Sequence, residues 1–304
     1  MLPAITASID PYTMQILVNI GIGIILALGL TIITGLTGQL SLGHAAFMSI
    51  GAFSGALLTI KTGLPFYLTI LFSGLISSMV AAAIGWPILR LTGDYLAICT
   101  LGFAEIIKVV FLNLEITNKA LGLTVPTPAS ALAMPLTVLI VVILTIIASA
   151  SIVNSRFGRA LKAIRDDEIA AESMGINIAR YKVQSFAISA FMAGVGGCLY
   201  AHFLGYINPS DFGFLKSIDM LSMIVLGGLG SIPGAVLGAS LLSAAPEFLR
   251  FMSQYRMLVY GALLVFLMVF RPNGLLGGID CAELVLRKLG VKPRSAARKQ
   301  EDTQ

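Results

Sequence analysis

Ionisable and strongly polar side chains are so sparse in the apolar runs of this sequence that each can be asked what chemistry it would do. Glu105 and Lys108 stand three residues apart in GDYLAICTLGFAEIIK (93–108), a spacing that puts both on one helical face, where each can neutralise the other. Charge at that depth is expensive, so the pair is a candidate for gating or solute contact, with a structural ion pair as an equal alternative. Gln39, Ser41, His44 and Ser49 make the densest polar cluster of the early chain, on a stretch punctuated by Gly35, Gly38 and Gly43 that would open backbone amides. A second glycine-broken segment, LGGLGSIPG (226–234), carries Gly227, Gly228 and Gly230. Together the two segments are the candidate lining for a polar solute, set against the alternative of tight turns and ordinary packing, which Gly and Ser also serve. His202, Asp211 and Asp219 read as interfacial contacts.

No constellation here makes or breaks covalent bonds. The chain holds only two histidines, His44 and His202, and no HExxH motif, and its three cysteines (Cys99, Cys198, Cys281) show no CxxC spacing, so neither a metal site nor a disulfide framework is expected. GxxxxGK followed by Ser or Thr is absent, so any ATP energy must come from a partner. GLGSIP (228–233) imitates GxGxxG but ends on Pro233 inside an apolar segment, which excludes a dinucleotide site. The chain is expected to bind no cofactor, no metal and no nucleic acid.

The elements that position these residues are membrane helices. Of 304 residues, 57% are hydrophobic and 12% charged, with a mean hydropathy of +0.92, outside the range of soluble domains. Runs able to cross about 30 Å of hydrocarbon occur near 14–34, 40–60, 66–89, 95–114, 132–153, 183–206 and, shorter, 256–270. This predicts an all-α polytopic membrane protein of about seven full spans plus one broken or re-entrant segment, 217–245. The start lacks the basic region of a cleavable signal, so the first span is expected to serve as its own insertion signal. The many Gly and Ala residues within the runs suit close helix packing.

Lys and Arg decide the orientation, since cytoplasmic loops hold their excess. If 217–245 dips in and returns to the side it came from, fourteen basic residues lie inside and five outside; a full crossing leaves no bias. The first arrangement is the expectation, with a cytoplasmic tail. Irregular backbone at membrane depth survives only when buried in protein or lining a watery cavity, so this segment is also a pathway candidate.

Between two apolar runs sits a polar island, RFGRALKAIRDDEIAAESMGINIARYK (156–182). Phe157, Leu161, Ile164, Ile169, Ala171 and Met174 alternate with charges in the manner of one or two short amphipathic helices, and Gly175 suits a C-terminal cap. Such a surface fits a groove on another protein or, equally on chemistry alone, a bed of lipid headgroups.

Ala170, Ala171 and Gly175 match the AAxxxG part of the EAA loop of ABC importer permeases, although Ile169 takes the glutamate position, Glu168 precedes it, and the downstream IxLP is absent. GLTGQLSLGHAAFMSIGA (35–52), GDYLAICTLGFAEIIK (93–108), SRFGRALKAIRDDEIAAESMGIN (155–177) and LGGLGSIPGAVLGA (226–239) resemble, in order, the permeases of branched-chain amino-acid ABC importers, the LivH/LivM family and its LivM type most of all. The resemblance covers about residues 15–278. It implies a non-catalytic permease domain over 1–278 and a basic cytoplasmic tail, 279–304, which would meet anionic lipid. It further implies an ATPase-coupling loop carried by Arg165, Asp166, Asp167, Glu168, Ala170, Ala171, Glu172 and Gly175. The implied partners are a second related permease, two ATPases using ATP and Mg, and an extracytoplasmic solute-binding protein. The setting is a bacterial or archaeal cytoplasmic membrane. The solute would be leucine, isoleucine or valine, or, in related permeases, urea or an amide. A stand-alone ion-driven carrier, with Glu105 as the ion site, is the competing class.

Overall fold

The computed structural model describes residues 11–91, 93–127 and 133–248, with 261, 265, 274 and 275. Helix α1 (Pro11–Leu30) runs on into a π-helical turn (Thr31–Leu36), followed by α2 (His44–Thr62), α3 (Phe66–Ile88), α4 (Asp94–Asn113) and α5 (Ala133–Asn154). Two short helices come next, α6 (Arg156–Asp166) and α7 (Glu168–Ser173), then the long α8 (Ile178–Leu204), α9 (Phe214–Gly227) and α10 (Ile232–Phe248). Among the described residues six stretches are long and apolar enough to cross a membrane: Tyr12–Leu36, α2, α3, α4, α5 and α8. The seventh expected span, 256–270, and the tail, 279–304, lie outside the described residues.

The spans divide into an inner and an outer set. In their most apolar windows α1 with its π-turn, α2 and α8 are 78%, 61% and 67% buried, whereas α3, α4 and α5 are 39%, 22% and 28% buried. Lacking a hydrophobic drive between helices in lipid, the inner set gains its contact from backbones that approach closely. A Cβ on Gly51 of α2 would collide with the backbone of Gly194 on α8, and one on Gly197 with the carbonyl of Met48. Phe47 fills the space beside this crossing, its ring edge-on to Phe186 at 5.1 Å. The outer helices turn Met79, Tyr95, Ile98, Ile106 and Leu144 outward, an apolar face suited to lipid or another subunit.

At one end of the bundle Leu123–Thr124 (β1) pairs antiparallel with Tyr206–Ile207 (β2), in register Leu123 to Ile207. The Tyr206 hydroxyl donates to the Leu121 carbonyl at 2.7 Å, which ties the loop after α4 to the end of α8. The opposite end gathers the connections 37–43, 89–91 and 155–177, and with them Arg90 and the basic residues of the polar island.

The broken segment is a helical hairpin. Gly228 (φ +112°) and Gly230 (φ +83°) take backbone conformations open to glycine in the α9–α10 turn. Gly227 and Gly234 lie against each other with no room for a Cβ on either, and Gly238 meets the Met223 carbonyl, so α9 and α10 return antiparallel at backbone contact.

Candidate functional site

The polar island folds as two capped amphipathic helices. Ser155 caps α6, its hydroxyl accepting from the Gly158 amide at 3.1 Å, and α6 buries Gly158, Ala160, Leu161 and Ile164. Asp167 caps α7 by accepting from the Ile169 and Ala170 amides at 2.8 and 3.0 Å. Gly175 follows α7 with φ +81°, and its neighbour Ile176 donates back to the Ala171 carbonyl, the helix stop that its position predicts. Asp166 stays exposed.

Directed contacts fasten these helices to the bundle. Lys182, near the start of α8, is buried to 4% side-chain exposure and pairs at 2.6 Å with Glu168. The Phe157 and Tyr181 rings stack at 5.5 Å between α6 and α8. Arg165 reaches from α6 to donate to the Gly35 carbonyl at 2.7 Å, in the π-turn that ends α1. Gly35 is itself packed on the backbone of Gly230, and Gly38 lies against the Arg165 side chain. The two glycine-broken segments therefore meet each other, and Arg165 touches both.

The outward side of the pair is uncovered. Ile169 and Met174 are 80% and 83% exposed, large apolar side chains that a soluble partner would cover. Beside them runs an open groove of about 570 Å³ bordered by Trp86, Arg90, Glu172, Ile176 and Lys182.

Further in, Gln39, Ser41 and His44 are buried, and their side-chain nitrogens and oxygens lack hydrogen-bond partners among the described residues. The His44 ring lies toward the Leu26 carbonyl without reaching hydrogen-bond geometry. Thr34 and Ser189 share this lack. Each such group costs roughly 1–3 kcal/mol if nothing else satisfies it. Two amides of the same stretch are occupied, Leu42 donating to the Thr100 hydroxyl at 3.1 Å and Ala45 to the Ser217 hydroxyl of α9 at 3.2 Å.

A cavity of about 140 Å³ opens beside the middle of α1, closed in by α9 and α10. None of Gly38, Gln39, Ser41, His44, Gly227, Gly228 or Gly230 lines it; its polar groups are Asn19, Tyr200, Lys216, Asp219 and Ser243. Sequence reasoning passed over Lys216 and set Asp219 aside as an interfacial contact. The readable signal was a Lys and an Asp three residues apart in FLKSIDMLSMIVLG, where both share one face of α9.

Glu105 and Lys108 form an ion pair at 3.1 Å on one face of α4. His202 is buried and held by Thr59 (2.9 Å) and the Cys198 carbonyl (2.9 Å), a packing role. Among the described residues no group of three or more His, Cys, Asp or Glu side chains is placed to hold a metal ion.

Residues 12–268 match the family model described as the branched-chain amino acid transport system / permease component. The chain belongs to this family. It is 37% identical over 301 residues to the high-affinity branched-chain amino acid transport system permease protein LivM of Salmonella typhimurium, covering 88% of this chain and 70% of that one. LivM of Escherichia coli is 37% identical over 285 residues, 83% of this chain and 67% of its own. The high-affinity branched-chain amino acid transport system permease protein LivH of Salmonella typhimurium is 28% identical over 279 residues, 83% and 90% of the two chains. No solved structure matches the chain significantly. Membership in this permease family and the six spans identify a non-catalytic, multi-pass membrane component of a multi-subunit transport system.

Proposed function

We propose that the chain is the permease subunit of an ATP-driven importer that moves leucine, isoleucine or valine into the cytoplasm by alternating access. The observation that carries this reading is the wiring of α6 and α7. Two short helices expose Ile169, Met174 and Glu172 to a partner while Glu168 grips α8 and Arg165 grips the junction of the α1 π-turn with the α9–α10 hairpin. Displacing such a pair moves the most buried helix of the bundle and the broken segment together, which is what coupling to an ATPase requires.

The relatives' names supply the solute, and LivM and LivH side by side in one organism suggest a heterodimer of related permeases. In this reading two ATPases hydrolyse MgATP at the end that carries the polar island. A binding protein delivers solute at the β1–β2 end, and this chain binds no cofactor of its own. The excess of Lys and Arg at the polar-island end makes that end cytoplasmic, in a bacterial or archaeal inner membrane.

The test is purification from the native membrane in mild detergent, identification of co-purifying chains, and leucine uptake after reconstitution with the binding protein. Recovery with a second permease and two ATPases, and uptake that needs ATP inside the vesicle, is expected. Uptake driven by a sodium or proton gradient with no ATPase present would overturn it.

A further inference from the structure

The cavity beside α1 combines features that a solute of one chemical class would use. Lys216 and Asp219 place a cation and an anion on one face of α9. No direct hydrogen bond or ion pair joins them, though the Asp219 and Asp211 carboxylates both act on the Lys216 ammonium at longer range, and that ammonium sits 5.0 Å from the centre of the Tyr200 ring. The rest of the wall is largely aliphatic or thioether, with Ile22 and Leu26 on α1, Met220 and Met223 on α9, and Leu242 on α10. Its volume, about 140 Å³, is close to that of an engineered apolar cavity of about 150 Å³ that admits benzene, so a four-carbon side chain has room.

We propose that this cavity is a transient solute subsite for a zwitterionic aliphatic amino acid. The Lys216 ammonium takes the solute carboxylate, the Asp219 carboxylate takes its α-ammonium, and the apolar wall takes its side chain. The net charge of the two protein groups is zero, so a zwitterion pairs both without leaving a charge behind, whereas urea would leave both unmatched. The site adjoins a broken helical hairpin at mid-depth of a span, where discontinuous helices of transporters commonly hold their substrates. It is modest in size and partly open, which suits a waypoint that must release its solute. Pliable Met220 and Met223 would let leucine, isoleucine and valine share one wall.

The inference deepens the importer reading and rests on it for the solute, so the two are tested separately. The intact complex in nanodiscs is irradiated with a diazirine analogue of leucine, and the labelled peptides are mapped. Label on 19–26, 216–223 or 242–246, displaced by excess leucine, is expected. Label confined to other segments, or undiminished by leucine, overturns the subsite even where ATP-driven leucine uptake is intact. Failure of that uptake would instead strike the importer reading. Lys216→Gln and Asp219→Asn should each reduce cavity labelling about tenfold or more, the loss of one charge-assisted contact. Lys216→Arg should keep most of it. Equal labelling in all three variants means the charges do not hold the solute and overturns the assignment.

Discussion

Two pairs of opposite charges occupy the same helical spacing in this protein and end up differently. Glu105 and Lys108 on α4 close to 3.1 Å, with side chains 39% and 27% exposed. Lys216 and Asp219 on α9 do not close. The order along the chain is one reason, because an acid N-terminal to a lysine pairs better across helical turns than the reverse. The shorter Asp side chain is another, and the Tyr200 ring beside Lys216 offers the ammonium a competing seat. A closed pair spends its charge on itself; an open pair beside a cavity keeps its charge for something else.

The strongest way to break that contrast is to exchange the residues. In Lys216→Asp/Asp219→Lys the acid comes first, as in α4, and the pair gains the order that favours closure while net charge and composition are unchanged. Leucine uptake by the reconstituted complex should fall about tenfold or more. Uptake at the wild-type rate would show that only the charge balance matters.

A third pair sharpens the comparison from the buried side. Lys182 has 4% of its side chain exposed and depends on Glu168. Glu168→Gln strands that ammonium and should destabilise the complex by roughly 1–3 kcal/mol, since the glutamate is itself partly exposed. Glu168→Gln/Lys182→Met, which removes both charges, should recover much of this in a thermal unfolding assay. Equal instability of single and double variants would mean that the contact is not what holds α7 on α8. Arg165→Met should have a smaller effect on stability, about 1 kcal/mol for one hydrogen bond to a carbonyl, yet it should uncouple ATP hydrolysis from uptake. A fall in both activities together would place Arg165 in folding rather than coupling.

Six spans and the short helices of the polar island were legible because apolar runs, the alternation of apolar and charged residues and a stop glycine are local signals. Gly175 shows this, while the Ser155 and Asp167 caps, equally local, went unread. What else escaped is non-local. Arg165 meets Gly35, 130 positions away, and Ser217 caps the start of α2, 172 positions away, contacts that no spacing announces. The polar residues of GLTGQLSLGH stand out because they are dense, yet they do not line the cavity beside α1, which forms around a Lys and an Asp that the sequence places beside a loop.

The smallest expected effect tests the other half of the contrast. Glu105 and Lys108 satisfy one another on α4 and line no part of the cavity. Glu105→Gln should therefore leave ATP-driven leucine uptake per folded complex within about twofold of wild type. The same preparation, energised in turn by a proton or a sodium gradient without ATP, should show no uptake before or after the substitution. Gradient-driven uptake that vanishes in Glu105→Gln would make the α4 pair the ion site of a carrier, and the closed pair, not the open one, would then be the working charge of the molecule.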